Sequence, residues 1–175
     1  IGHGFNVQLL NSGHVLGSAM IEIVFNKKKI VFTGDLGNSP SLFLPDAETI
    51  TDADYLVIES VYGDRNHEPK PERKRRLEEI IERSIKNGGI LMIPAFSLER
   101  TQEMLYEIKD LVENKKIPIV PIYLDSPLAI KVTAIYEKNK NYFKDTAQAM
   151  IKTGDDIFSF FGLKKTLTTE ESRAI

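Results

Sequence analysis

The sequence predicts an α/β protein, and three features predict it. Apolar runs in the first 35 residues alternate in strand fashion and are separated by short polar turns. After residue 70, apolar positions recur at helical spacing between short continuous apolar runs, the pattern of repeated β–α units. The 175 residues are 42% hydrophobic and 27% charged, ordinary globular usage, which excludes collagen-like, mucin-like and wholly disordered classes. The antiparallel pattern gives way to the parallel one near residue 65, so the expected domains are 1–65 and 66–175.

Residues 5 to 10 (Phe-Asn-Val-Gln-Leu-Leu) alternate and stop at Asn11-Ser12-Gly13. The runs Ala19 to Phe25 and Ile30 to Thr33 flank Asn26-Lys27-Lys28-Lys29, whose polarity suits a hairpin turn. A long connection rich in Gly, Ser, Pro and Asp (Gly37 to Asp54) leads to Tyr55-Leu-Val-Ile58, an apolar run of the buried-strand type. From Pro71 the period becomes helical: Leu77, Ile80, Ile81, Ser84 and Ile85 share a face, while Glu72/Arg76, Glu79/Arg83 and Glu82/Lys86 form i,i+4 pairs on the other. Asn87-Gly88-Gly89 stops that helix. A strand Ile90 to Ile93 is expected next. A helix over 97 to 114 follows, with Leu98, Met104, Leu105, Ile108, Leu111 and Val112 buried. A strand Ile119 to Leu124 then feeds a helix opening at Ser126-Pro127, with Ser as cap and Pro at the first helical position. Residues 138 to 163 carry weaker helical signals around Tyr142, Phe143, Ala147, Met150 and Ile151, and Thr168 to Arg173 reads as the approach to another element. From residue 70 the expected architecture is parallel and doubly wound.

The composition also bounds the chemistry. With no cysteine there is no disulfide framework, thiolate zinc site or cysteine nucleophile, so any metal falls to His, Asp or Glu. A net charge of −2 supplies no global basic field, and a nucleic-acid partner would need a local groove. No apolar run approaches the ~20 residues of a membrane span, and no basic-then-apolar leader opens the chain, so a soluble, cytoplasmic protein without membrane partners is expected.

Several apolar runs end in a polar residue beside small ones: Asn11-Ser12-Gly13-His14, Thr33-Gly34-Asp35, Ile58-Glu59-Ser60, Ala95-Phe96-Ser97 and Leu124-Asp125-Ser126. Strand ends are where α/β proteins keep their ligand sites. Asp and Ser also cap helices and start turns, and for Ser97 and Asp125-Ser126 capping is the simpler reading. His14, Asp35 and Glu59 differ, because no convincing helix follows any of them. His14 sits between glycines in a turn suited to presenting a side chain. Asp35 is delivered at the tip of a buried strand, and Glu59 ends an apolar run where a carboxylate is costly to bury unpaired.

The stretches Gly13-His-Val-Leu-Gly-Ser-Ala19, Phe32-Thr-Gly-Asp-Leu-Gly37 and Ile58-Glu-Ser-Val-Tyr-Gly63 resemble, in this order, the metallo-β-lactamase superfamily and, within it, the β-CASP nucleases. Pro94-Ala-Phe-Ser-Leu-Glu-Arg-Thr-Gln-Glu-Met-Leu105 and Pro121-Ile-Tyr-Leu-Asp-Ser-Pro-Leu-Ala129 resemble that family's inserted domain. The resemblance implies a partial metallo-β-lactamase αββα sandwich over 1–65 and a partial β-CASP domain over 66–175. It implies a ribonuclease that hydrolyses RNA phosphodiesters with two zinc ions, with a homodimer left open. By that resemblance His14 matches a histidine metal ligand and Asp35 the carboxylate that bridges both metals. Glu59 matches the acidic residue that opens the insert and holds a later catalytic histidine. A two-oxygen carboxylate can span ions ~3.5–4 Å apart, which agrees with the bridging role.

The family's H-x-H-x-D-H signature is absent from these residues, as are its two later histidine motifs; His3 and His67 stand in neither. Zinc takes about four ligands, and His14 with Asp35 falls short, so the 175 residues alone are expected to be inactive and to come from the middle of a longer nuclease. Between residues 65 and 86, eight Lys or Arg face five Glu, a surplus that an ion-paired solvated helix explains without RNA. Ser97 and Ser126 would place hydroxyls and helix-start N–H groups at strand ends, a geometry suited to phosphate, and Arg100 is a further phosphate contact. The alternative from another class is an inactive β-CASP paralogue acting as an RNA-binding or scaffolding subunit. A small-ester or lactam hydrolase on the same sandwich is the third, and the segments after residue 65 argue against it.

Overall fold

The computed structural model describes residues 4–67, 69–152, 154 and 156–175. His3 lies outside the described residues. The chain divides into two units, one of Ile1–Arg65 with Asn141–Gln148 and one of Asn66–Lys140 with Ala149–Ile175.

The first unit is built on a mixed sheet of four strands in sequential order, β1 (Asn6–Asn11), β2 (Ala19–Phe25), β3 (Lys28–Phe32) and β4 (Tyr55–Val57). The hairpin between β2 and β3 is tighter than the sequence suggests. Phe25 pairs with Lys28, and Asn26 and Lys27 alone make the turn, both at positive φ (47° and 62°). Two such residues match the right-handed twist of the flanking strands, which is why Lys28 and Lys29 join the ladder. Strand β4 lies parallel to β3, a pairing that requires a long crossover; the Gly-, Ser- and Pro-rich connection provides it.

Because side chains alternate across a sheet, the register sorts them into two faces. Met20, Val31 and Thr33 occupy one face and are buried. Among the described residues the other buried apolar side chains of this unit are Phe43, Leu44, Phe143 and Ala147, with the rings of Phe43 and Phe143 5.3 Å apart. Lys144 ties its segment to the same place, its N–H donating to the Phe43 carbonyl at 3.0 Å. The opposite face carries the cross-strand row Leu9, Ile21, Phe32 and Val57, at 67%, 41%, 42% and 53% exposure. Tyr55 to Ile58 was expected to be buried and is instead exposed throughout. An apolar run specifies a wish for cover, and among the described residues nothing covers this strand on its outward side.

In the second unit, α1 (Lys70–Lys86), α2 (Arg100–Glu113) and α3 (Pro127–Lys138) accompany a two-stranded parallel sheet of β5 (Ile122–Leu124) and β6 (Leu163–Lys165). Helix α1 follows its amphipathic pattern and ends as expected, with Gly88 at φ 63° donating to the Ile85 carbonyl. Ile81 of α1 packs in one cluster with Ile108, Leu111 and Val112 of α2 and with Ile117, while Leu77, Ile85, Met104 and Ile122 pack against its edge. Ile80, expected on that face, is exposed. A Lys74–Asp110 ion pair links the two helices. Leu105, Ala129, Tyr136, Ile157 and Phe158 are also buried, with Tyr136 edge-on to Phe158 at 6.2 Å.

Four expectations fail here. Ile90 to Ile93 forms no strand, since its backbone finds no ladder partner among the described residues, and Ile90 and Met92 are exposed. The strand from Ile119 shrinks to Ile122–Leu124, the length over which β6 pairs with it. Helix α2 begins at Arg100, so Leu98 precedes it and is exposed rather than part of the buried stripe. Among the described residues the second unit pairs only β5 with β6, so the doubly wound sheet expected from residue 70 is not completed there. The chain closes with α4 (Asp145–Lys152) and α5 (Thr169–Arg173). Thr168 and Glu171 cap α5 reciprocally, side chain to backbone in both directions. Among the described residues no helix is long and apolar enough to cross a membrane.

Candidate functional site

The end of β1 is organised by Asn11 and Ser18. The Asn11 Oδ1 accepts from the Gly13 N–H at 3.0 Å, starting a turn. Ser18 Oγ accepts from the N–H groups of His14 (3.2 Å) and Val15 (3.1 Å) and bonds Ser12 Oγ at 2.8 Å, which rigidifies the loop under His14. Gly13 stands at φ 66°, in the left-handed region where glycine is tolerated without strain.

The loop after β3 meets this one backbone to backbone. Gly37 N–H donates to the Ser12 carbonyl at 2.9 Å, and a Cβ built on Gly37 would lie 1.9 Å from the Gly13 carbonyl oxygen. Only glycine permits that approach. Its consequence is that His14 Nε2 and Asp35 Oδ2 stand 3.8 Å apart, both side chains substantially exposed.

Glu59 fixes the second loop from below. Its Oε1 accepts from the Leu36 N–H at 2.8 Å, its Oε2 from Val61 N–H at 3.3 Å, and its own N–H donates to Thr33 Oγ1 at 3.2 Å. Thr33 N–H in turn donates to the Val57 carbonyl at 3.0 Å, one residue beyond the β3–β4 ladder. The carboxylate therefore holds the backbone immediately after Asp35.

The donor chemistry suits a divalent metal as far as it goes. Ligands about 2.0–2.2 Å from a tetrahedral zinc lie about 3.4 Å from each other, so an imidazole nitrogen and a carboxylate oxygen at 3.8 Å can share one ion. Among the described residues no group of three or more His, Asp or Glu side chains could hold a metal ion. His67 is exposed in the loop before α1 and joins no such group.

Ser97, Arg100 and Ser126 all lie in the second unit. Ser126 is the N-cap of α3, its Oγ accepting from Ala129 N–H at 3.2 Å. Ser97 is not a cap: that position belongs to Glu99, whose side chain makes no capping bond. The Ser97 carbonyl accepts from Gln102 Nε2 at 3.2 Å, and Gln102 Nε2 also donates to Thr133 Oγ1 at 2.8 Å on α3. Thr133 Oγ1 reaches the Ala129 carbonyl at 2.8 Å, so a chain of hydrogen bonds runs from the Ser97 loop to the first turn of α3. Arg100 is exposed and pairs with Glu103 at 2.5 Å. Asp125 accepts from Thr166 Oγ1 (2.6 Å) and Ser172 Oγ (2.8 Å), and those hydroxyls, Thr166 first, hold its carboxyl below the usual range. On α1, Glu72 bonds Arg75 and Arg76, and Glu79 takes Arg75 rather than Arg83, consistent with a solvated ion-paired face.

Sequence reading passed over Ser18, Thr33, Glu99, Gln102 and Tyr136. Ser18, Thr33, Glu99 and Gln102 stand inside the resembling segments, which was the available signal; nothing local marks Tyr136 as more than an apolar helix position.

Residues 101–175 match the Beta-Casp domain family. Over 164 residues the chain is 38% identical to Ribonuclease TTHA0252 of Thermus thermophilus, covering 94% of this chain and 38% of that protein. It is 35% identical over 164 residues to the cleavage and polyadenylation specificity factor subunit 3 of Dictyostelium discoideum, covering 93% of this chain and 21% of that one. It is 38% identical over 156 residues to the RNase J-like protein of Methanocaldococcus jannaschii, covering 87% and 37%. The chain thus spans between about a fifth and two fifths of the length of these curated relatives. A Beta-Casp domain match over its last 75 residues, and identity to ribonucleases along nearly its whole length, agree with the order of motifs from His14 to Ser126: the chain belongs to the β-CASP family.

Proposed function

We propose that the protein containing this chain hydrolyses RNA phosphodiesters with two zinc ions, residues 1–65 belonging to its metallo-β-lactamase sandwich and 66–175 to its β-CASP domain. The observation that carries this reading is the meeting of His14 Nε2 and Asp35 Oδ2 at 3.8 Å on two loops locked together through Gly13 and Gly37. His14 and Asp35 are two of the metal ligands, and the remaining ones come from the rest of the protein. Bound there, zinc supplies the Lewis-acid chemistry that phosphodiester hydrolysis uses.

The chain's own residues do the rest by placement. Asp35 presents two carboxylate oxygens at the tip of a strand. Glu59 keeps that tip in position by accepting the Leu36 N–H. Ser126, an acceptor for Ala129 N–H, still carries a hydroxyl proton to offer a phosphate oxygen, and Arg100 has guanidinium donors beyond the one bonded to Glu103. The names of the relatives, ribonucleases among them, support RNA as the substrate class.

The test is Asp35→Ala in the full-length protein, read by cleavage of labelled single-stranded RNA and by thermal unfolding. Cleavage is expected to vanish while the melting temperature barely moves. Undiminished cleavage would sink the metal-ligand role, and RNA binding without cleavage in the unmutated protein would favour the non-catalytic paralogue.

A further inference from the structure

Glu99 combines three unusual properties. Its backbone sits at φ 61°, ψ −58°, and the Arg100 N–H donates to the Leu98 carbonyl at 2.8 Å across it. That is a γ-turn of the positive-φ kind, rare and strained for a residue with a side chain. Its carboxylate is mostly buried and accepts from the hydroxyl of Tyr136 at 2.6 Å, a side chain of α3 that is itself 1% exposed. Around it, Thr101 and Gln102 hold the carbonyls of Phe96 and Ser97, while Gln102 Oε1 is buried without a hydrogen-bond partner. A strained turn over-determined on both sides marks a place where position matters more than local stability.

We propose that Glu99 is a positioning residue for the Ser97–Arg100 loop and that its single proton sets the charge this loop presents to RNA, so that RNA is bound more tightly below neutral pH than above it. The proposal rests on the reading of Arg100 as a phosphate contact. The charged and titratable groups that face Glu99 are Arg100 and Glu103 of α2 and the Tyr136 hydroxyl of α3. Burial pushes the carboxyl up to about 7, opposed by the Tyr136 hydrogen bond and assisted by Glu103. When Glu99 is neutral, Arg100 faces an incoming phosphate with Glu103 as its ion-pair partner. When Glu99 ionises, a second negative charge stands beside that phosphate, and the partly buried setting screens it less than water would.

The experiment is equilibrium binding of a fluorescein-labelled single-stranded RNA to the full-length protein between pH 5.5 and 8.5 at constant ionic strength, followed by anisotropy. For the unmutated protein, affinity should fall roughly five-fold across this range, about the effect of one nearby charge at a protein surface. Glu99→Gln should hold the tight end at every pH. Tyr136→Phe removes a bond that favours the ionised form, so its transition should move to higher pH, a displacement that a purely structural role would not produce. An unmutated protein that binds RNA with a flat profile, or a Glu99→Gln variant with the wild-type profile, overturns the proposal and leaves the RNA reading standing. Failure to bind RNA at any pH overturns both.

Discussion

Glu59 shows at the scale of one residue how a carboxylate can matter without touching substrate. With both oxygens accepting backbone N–H groups, it acts on Asp35 through the peptide that follows it. On the proposed zinc-nuclease reading, Glu59→Ala in the full-length protein should therefore lower kcat/KM and retained zinc together, by about 10- to 100-fold, the usual cost of losing an outer partner of a ligand. Steady-state kinetics beside metal analysis would check it, and unchanged zinc content would contradict it. Gly37→Ala is harsher, because the neighbour met at 1.9 Å is a backbone carbonyl that cannot rotate away; a loss of about 1–3 kcal/mol is expected from chemical denaturation.

Glu99 makes a pH prediction with a definite sign. Burial pushes its folded carboxyl up to about 7 from the ordinary 4.5, so between these values the folded state holds the extra proton. Stability from this group is present at low pH and lost as pH rises toward 7, and it is flat above. The melting temperature of Glu99→Gln relative to wild type should thus climb between pH 4.5 and 7 and then level off. The places of His14, Asp35 and Glu59 at the ends of apolar runs were legible in sequence, and their part in a metal site belongs to the proposed reading. Glu99 was not legible, since neither a positive φ nor a burial partner 37 positions away has a local sign.

At the scale of elements, legibility followed what each element needs from elsewhere. Helix α1 satisfies its own backbone, and its apolar stripe and Asn87-Gly88-Gly89 stop announce it completely. Helix α3 is announced by Ser126-Pro127, and Ser126→Ala should cost about 1 kcal/mol by removing the acceptor for Ala129 N–H, measurable as a lower denaturation midpoint. Strands depend on partners that the sequence does not name. Ile90 to Ile93 has the composition of a strand and no ladder among the described residues, and Ile119 to Leu124 is a strand only where Leu163–Lys165 pairs with it. The β2–β3 turn was placed but drawn two residues too long, because four polar residues hid which two would take positive φ.

At the scale of the molecule, the sheet of the first unit presents Leu9, Ile21, Phe32 and Val57 as a continuous row to solvent. Contiguous apolar surface of this kind marks a face that other protein normally covers. The 175-residue chain expressed by itself should therefore enhance the fluorescence of a hydrophobic dye and associate with rising concentration, and Leu9→Lys should reduce both; a monomer without dye binding would contradict this. The α/β class and the order of the motifs were legible across the whole chain, since they depend on local periodicity and fixed residues. The return of Asn141–Gln148 to the first unit was not, because it rests on Phe143 meeting Phe43 a hundred residues earlier.

The contact between Gly13 and Gly37 also limits how this site can be moved or rebuilt. Neither loop has its shape alone: one supplies the carbonyl and the other the missing side chain. A graft of the histidine–carboxylate pair onto another scaffold would have to carry both strand ends, with both glycines, as one unit. In a combinatorial library both positions should return glycine, each for its own reason: at 37 a Cβ meets a backbone carbonyl that no substitution at 13 removes, and at 13 the φ is +66° and a Cβ would meet the Ala47 backbone nitrogen at 2.7 Å.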